Sequence, residues 1–189
     1  MEISANGARR LPCWEELPDL DIYMDQVISL IGRYLTGFAV SDEKGLTPSM
    51  VNNYVKSGII PPPVKKKYER THLAYLIMIC ILKTVMPISR AGELIRSRIS
   101  SGMSCSELYA SFCAQFDEAE AAAAEKTEKM SVSGSDVYEA IFYAALFSHA
   151  EQETAMNLMR SAGIGKGSDS SKKSRKGGSQ AEKEADADS

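Results

Sequence analysis

The feature that most constrains this chain is a run of ten apolar residues, Leu73 to Leu82, closed by Lys83. A membrane span needs about 20 such residues, so this run is too short to cross a bilayer. It is apolar on every side of a helix, not along one stripe, so other elements must cover it all round. Pro61-Pro62-Pro63 before it and Pro87 after it bound the helix, because proline has no N–H to donate and clashes with the preceding turn. The spacing therefore predicts a central buried helix from Thr71, as N-cap, to about Val85, with the remaining elements packed around it.

Those elements are predicted to be helices. Tyr23, Val27, Leu30, Ile31, Tyr34 and Leu35 recur every three or four residues and predict a helix over 21–36 ending at Gly37. Thr47-Pro48 reads as an N-cap followed by a first-turn proline. The short helix they open ends near Gly58 and turns Met50, Val51, Tyr54 and Val55 inward. Ser89 caps a helix to about Arg98. Ser104-Cys105-Ser106-Glu107 has the pattern of a capping box, opening a helix with Leu108, Phe112, Phe116 and Ala119 inward and the Ala121–Ala124 tract beyond. After a break at 131–135, Ser135 or Asp136 caps a last helix to about Met159, apolar from Val137 to Phe147 except for Glu139. These two helices read as a C-terminal hairpin that seals against the core or against a second subunit. Residues 1–18 read as an irregular arm with Trp14 and Leu17 tucked onto the domain. The Gly, Ser, Lys, Glu and Asp composition of 161–189 predicts a disordered tail. The organisation is an arm (1–18), a domain (19–100), a helical region (101–160) and a tail (161–189).

The formal net charge of −3 is distributed unevenly. Residues 44–70 carry +5 and 71–106 carry +3, whereas 2–43 carry −5 and 107–139 carry −6. A basic patch acts locally, so the total does not exclude a nucleic-acid partner. The basic block coincides with a distinctive arrangement. On the helix after Thr47, Ser49, Asn52, Asn53 and Lys56 stand at i, i+3, i+4 and i+7, which is one polar face. The three prolines forbid a helix next, and the segment reads as two short extended pieces, Ile59-Ile60 and Lys67-Tyr68, around a basic turn. Helix, helix with a polar Asn/Lys face, basic hairpin and buried helix make a winged helix-turn-helix plan, mainly α with a small β-hairpin wing. A B-DNA major groove admits one helix, and Asn pairs bidentately with adenine. Lys56, Lys65, Lys66 and Lys67 are then expected at phosphates or groove walls, with Arg70 as a further phosphate contact. Tyr54, Tyr68, His72 and His149 are read as structural.

Met50 to Pro61 resembles the MerR-type pattern: Tyr54 falls on its second aromatic, Gly58 on its glycine and Ile59-Ile60 on its leucine pair. Tyr68 is similar to the tyrosine closing that family's wing, His72-Leu73 to its Asp-Leu, and Lys83–Ile95 to its following segment. The resemblance spans about 20–100. Asn52 stands where the family has arginine, Asn53 where it has an aromatic, and the wing carries lysines for arginines; Lys is a point charge without the arginine fork. Within that superfamily, Asn52-Asn53-Tyr54-Val55-Lys56 with Lys66-Lys67-Tyr68 looks like the bacterial domain-of-unknown-function family numbered 1836. The resemblance implies a MerR-like DNA-binding fold.

Enzyme chemistry is not expected, since no phosphate loop, HExxH or nucleophile elbow is present. Cys13, Cys80, Cys105 and Cys113 form no CxxC pair, which fits a reduced, cytoplasmic setting and no metal or other cofactor. Met1–Gly7 does not read as a signal peptide. The expectation is a DNA-binding transcriptional regulator with double-stranded DNA as partner, no membrane association and no small-molecule ligand. A homodimer through the C-terminal helices and a winged module used only for protein–protein interaction stay open.

Overall fold

The structure is a computed structural model that describes residues 10–38, 45–132 and 136–165. Its helices are α1 (Met24–Tyr34), α2 (Pro48–Lys56), α3 (Arg70–Leu82), α4 (Ile88–Ser100), α5 (Cys105–Val132) and α6 (Val137–Ser161), preceded by a single 3-10 turn, Trp14–Glu16. The apolar run forms α3, and every residue from His72 to Cys80 is buried. Helices α1, α4 and α5 pack directly on it, and α2 packs on α1. At roughly 1.5–3 kcal/mol per fully buried large apolar side chain, this one helix supplies much of the hydrophobic driving force.

The helix starts follow local chemistry. The Thr47 hydroxyl accepts from the Met50 N–H (3.3 Å), with Pro48 in the first turn. At the start of α5, the Ser104 N–H donates to Glu107 (2.9 Å) and the Glu107 N–H to Ser104 Oγ (3.2 Å), which is the expected capping box. Asp136 caps α6. Other ends shift. Helix α3 begins at Arg70 with Glu69 as N-cap, so Thr71 is already helical, and it ends at Leu82. Helix α4 is capped by Pro87, not Ser89.

One core cluster runs from Leu11 and Leu17 in the N-terminal arm through α1, α2 and α3 to Ile95 of α4 and Tyr109 of α5. The arm and the first half of α5 therefore belong to the same core as the helices between them. Gly92 lets α4 approach closely: a Cβ there would lie 2.9 Å from Ile59 Cγ1. A small second cluster, Met86, Ala91 and Met159, joins the C-terminal end of α6 to the body.

The expected hairpin wing is not formed. Among the described residues there is no sheet, only two isolated bridges, Val64–Lys67 and Ile22–Tyr68. Ile59 and Ile60, expected to be the entering strand, are buried. Their N–H groups donate to the Tyr54 carbonyl (2.9 and 3.3 Å), closing the end of α2 around Gly58 at φ 65°. The prolines then supply no donors for a ladder, and Tyr68 pairs with Ile22 instead of across the turn. Of the expected tail, 161–165 continue and close α6 as a turn, with Ile164 packed on the second cluster; 166–189, residues 1–9 of the arm and the 133–135 part of the break lie outside the described residues. No helix among the described residues is long and apolar enough to cross a membrane.

Candidate nucleic-acid interface

Helix α2 has two faces. Val51 and Tyr54 are buried, and burial raises the Tyr54 phenol pKa, as for a packing residue. On the other face Ser49, Asn52, Asn53 and Lys56 are all exposed. Among the described residues their side chains make no hydrogen bond or ion pair, so the face is uncommitted.

The basic turn is shaped unusually. Lys65 and Lys66 are both left-handed, at φ 50° and 64°. The Lys67 N–H returns to the Val64 carbonyl (2.9 Å), which closes a tight turn with the two lysines at its tip. Two consecutive positive φ values belong to hairpin turns that favour Asn-Gly, and an L-residue in this region costs about 1–2 kcal/mol. Both tip lysines are exposed.

The other two expected contacts have intramolecular partners. Lys67 pairs with Asp21 (3.3 Å). The Arg70 Nε donates to the Leu17 carbonyl (2.9 Å), its guanidinium lies over the Trp14 ring (5.7 Å), and Asp19 is 3.7 Å away. Arg70 thus fastens the N-terminal arm to the start of α3. Asp19, Asp21 and the arm precede the basic block in sequence, and nothing in the local pattern links them to it. Of the six cations in 44–70, Lys44 lies outside the described residues, which leaves Lys56, Lys65 and Lys66 as the described unpaired charges. Arg96 of α4 adds a cation that the sequence reading did not select. It is exposed, and its Nη1 donates to the Gly58 carbonyl at the end of α2 (3.0 Å). Its place four residues after Gly92, on the same face of α4, is the signal that marks it.

His72 supports the turn. Its Nδ1 accepts from the Glu69 N–H (3.0 Å) at the start of α3, and its ring meets Tyr68 edge-on at 5.3 Å. The buried Nε2 faces the Pro61 and Pro62 carbonyls without a well-formed hydrogen bond. Desolvation lowers the imidazole pKa from its ordinary value. A histidine kept neutral by the fold contributes stability above its unfolded pKa, near 6.5, and loses it as pH falls. The unfolding free energy should therefore decrease between pH 7 and 5.5. His72→Asn, which keeps an acceptor for the Glu69 N–H and does not titrate, should flatten that stretch in urea titrations. An unchanged slope in the variant would assign the acid sensitivity elsewhere.

Among the described residues no group of three or more His, Cys, Asp or Glu is placed to hold a metal. No curated protein and no solved structure matches the chain. The family model described as Domain of unknown function (DUF1836) matches residues 12–112, from the arm through α1–α4 into α5. The match covers more than half of the chain and ends beyond Tyr109, where the core cluster also ends, and the chain belongs to that family.

Proposed function

We propose that this protein is a sequence-specific DNA-binding regulator. In this reading α2 enters the major groove and the Lys65-Lys66 tip grips phosphates, in the manner of a MerR-like winged helix-turn-helix with its wing reduced to a tight turn. The observation that carries it is the exposed, uncommitted face of α2, where two asparagines and a lysine share one side of a helix whose other side is core. Asn52 and Asn53 read base edges, with adenine as the bidentate match; Lys56, Lys65 and Lys66 supply the salt-dependent part of the affinity. Lys67 and Arg70 hold the turn and the arm in place. A protein-only module is the second reading, favoured by the small number of unpaired cations.

In vitro selection from random double-stranded DNA at two salt concentrations tests this. A motif should be enriched, and Asn52→Ala or Asn53→Ala should weaken the selected site by about 1–3 kcal/mol while relaxing preference at one position. Enrichment of no motif at either salt would defeat the regulator reading and favour the protein-only module.

A further inference from the structure

The body of the protein is open at one place. Between the C-terminal half of α3, α4 and the first half of α5 lies a cavity of about 280 Å³. Met78 of α3 and Ile95 of α4 line it as buried residues. Leu94, Phe112 and Phe116 also line it and stay partly exposed, although they pack on the two core clusters. The Phe116 ring meets Phe38 edge-on at 5.5 Å, which holds that wall in place. Every lining side chain is apolar except Arg98 and Gln115. Apolar walls with a few polar groups are the make-up of a small-molecule site. A cavity of roughly 150 Å³ lined by Leu, Ile and Phe takes one benzene, so this one has room for about two fused rings.

Arg98 sets the chemistry of the occupant. Helix α4 carries three arginines. Arg90 donates to the Ile164 carbonyl (3.2 Å) and stands beside Glu93 (3.6 Å), and Arg96 donates to the Gly58 carbonyl (3.0 Å). Arg98 is exposed, and among the described residues it reaches only the Met103 sulfur (3.8 Å), a weak acceptor. No acidic residue lines the cavity, so the guanidinium is left with its charge unmatched beside an apolar hollow. Its fork fits a carboxylate through two parallel N–H···O bonds. Gln115 Nε2 donates to Ser111 Oγ (3.0 Å) and keeps a second N–H for an acceptor. We infer that this cavity binds a small aromatic carboxylate, its fused rings between α3, α4 and α5 and its carboxylate on Arg98. This replaces the expectation that the chain has no small-molecule ligand. It is independent of DNA recognition and is tested without DNA.

The probes are 2-naphthoate and its neutral counterpart 2-naphthamide, titrated into the full chain by calorimetry. One 2-naphthoate should bind per chain with a Kd below about 1 mM, within reach of a ligand of this size. 2-Naphthamide should bind about threefold more weakly, the worth of an exposed ion pair. Arg98→Gln should weaken 2-naphthoate by the same factor and leave 2-naphthamide unchanged. Arg98 is exposed, so that variant should keep the wild-type urea midpoint. With methyl-labelled methionine, the Met78 resonance, identified by Met78→Leu, should shift on adding 2-naphthoate, and Leu94→Trp, which fills the cavity, should abolish the shift. Absence of saturable binding, equal affinity for the two probes, binding unchanged in Leu94→Trp, or a shift at Met24 or Met50 without one at Met78 would each overturn the site. Dissociation of a dimer by 2-naphthoate in sedimentation would overturn it in favour of a second copy of the chain as the occupant.

Discussion

Replacing Tyr109 with alanine lowers the unfolding free energy by about 3–5 kcal/mol, the range for removing a buried aromatic ring. Tyr109 is fully buried in the first half of α5. Its hydroxyl donates to the buried Pro12 carbonyl (2.8 Å), and its ring lies against Trp14 at 6.3 Å between centroids. The ring packs against the N-terminal arm at Pro12 and Trp14, and the Arg70–Leu17 hydrogen bond fastens that arm to α3. Burial raises the phenol pKa above its ordinary value, so the group stays a neutral donor at any working pH. Tyr109→Phe keeps the ring and removes the donor. It should cost about 1 kcal/mol, the net worth of one hydrogen bond, because the Pro12 carbonyl keeps the weaker Cys113 thiol donor (3.8 Å). Small domains have only about 5–15 kcal/mol of stability, so the alanine variant should show a far lower urea midpoint and the phenylalanine variant an intermediate one. An alanine variant within 1 kcal/mol of wild type would mean that the arm does not belong to the core.

Tyr109 also shows where the sequence stops being informative. Leu108, Phe112 and Phe116 share one face of α5 and mark its apolar stripe, and all three are only partly buried. The residue beside that stripe is the one fully buried, because the covering element is an arm almost 100 residues away in sequence. Helical periodicity reports which face is apolar; it carries no information about a distant segment laid over the next face. The same limit explains Arg70 and Lys67. Their positive charge is visible locally, but Asp19, Asp21 and the Leu17 carbonyl that engage them come from the arm. What is local was legible: the buried α3, the Thr47 cap, the Ser104 capping box and the polar face of α2 each rest on residues within a turn or two of one another. The wing failed for a related reason. Two short extended pieces, Ile59-Ile60 and Lys67-Tyr68, around prolines and a basic turn fit a hairpin, yet Ile59 and Ile60 close the end of α2 and join the core instead of pairing across the turn.

The largest functional effect is expected from the three unpaired lysines. The combined variant Lys56→Gln, Lys65→Gly, Lys66→Gly should reduce the slope of log affinity against log salt by about 2.7, at 0.9 per phosphate contact. Relative to a 1 M salt reference, that is about 500-fold weaker DNA binding at 0.1 M. The fold should move the opposite way. Both tip lysines hold positive φ, which glycine adopts without a Cβ clash, and the gain exceeds the extra entropy of glycine in the unfolded chain by about 0.5–1 kcal/mol per position. The urea midpoint should therefore rise as DNA affinity falls. Opposite signs are what separate a binding tip from a structural one. Lysine at these two positions costs stability in the free protein, and in the proposed reading a bound polyanion compensates for it. A variant that binds DNA as wild type does, with an unchanged salt slope, would remove the tip from the interface and leave α2 without its phosphate anchor.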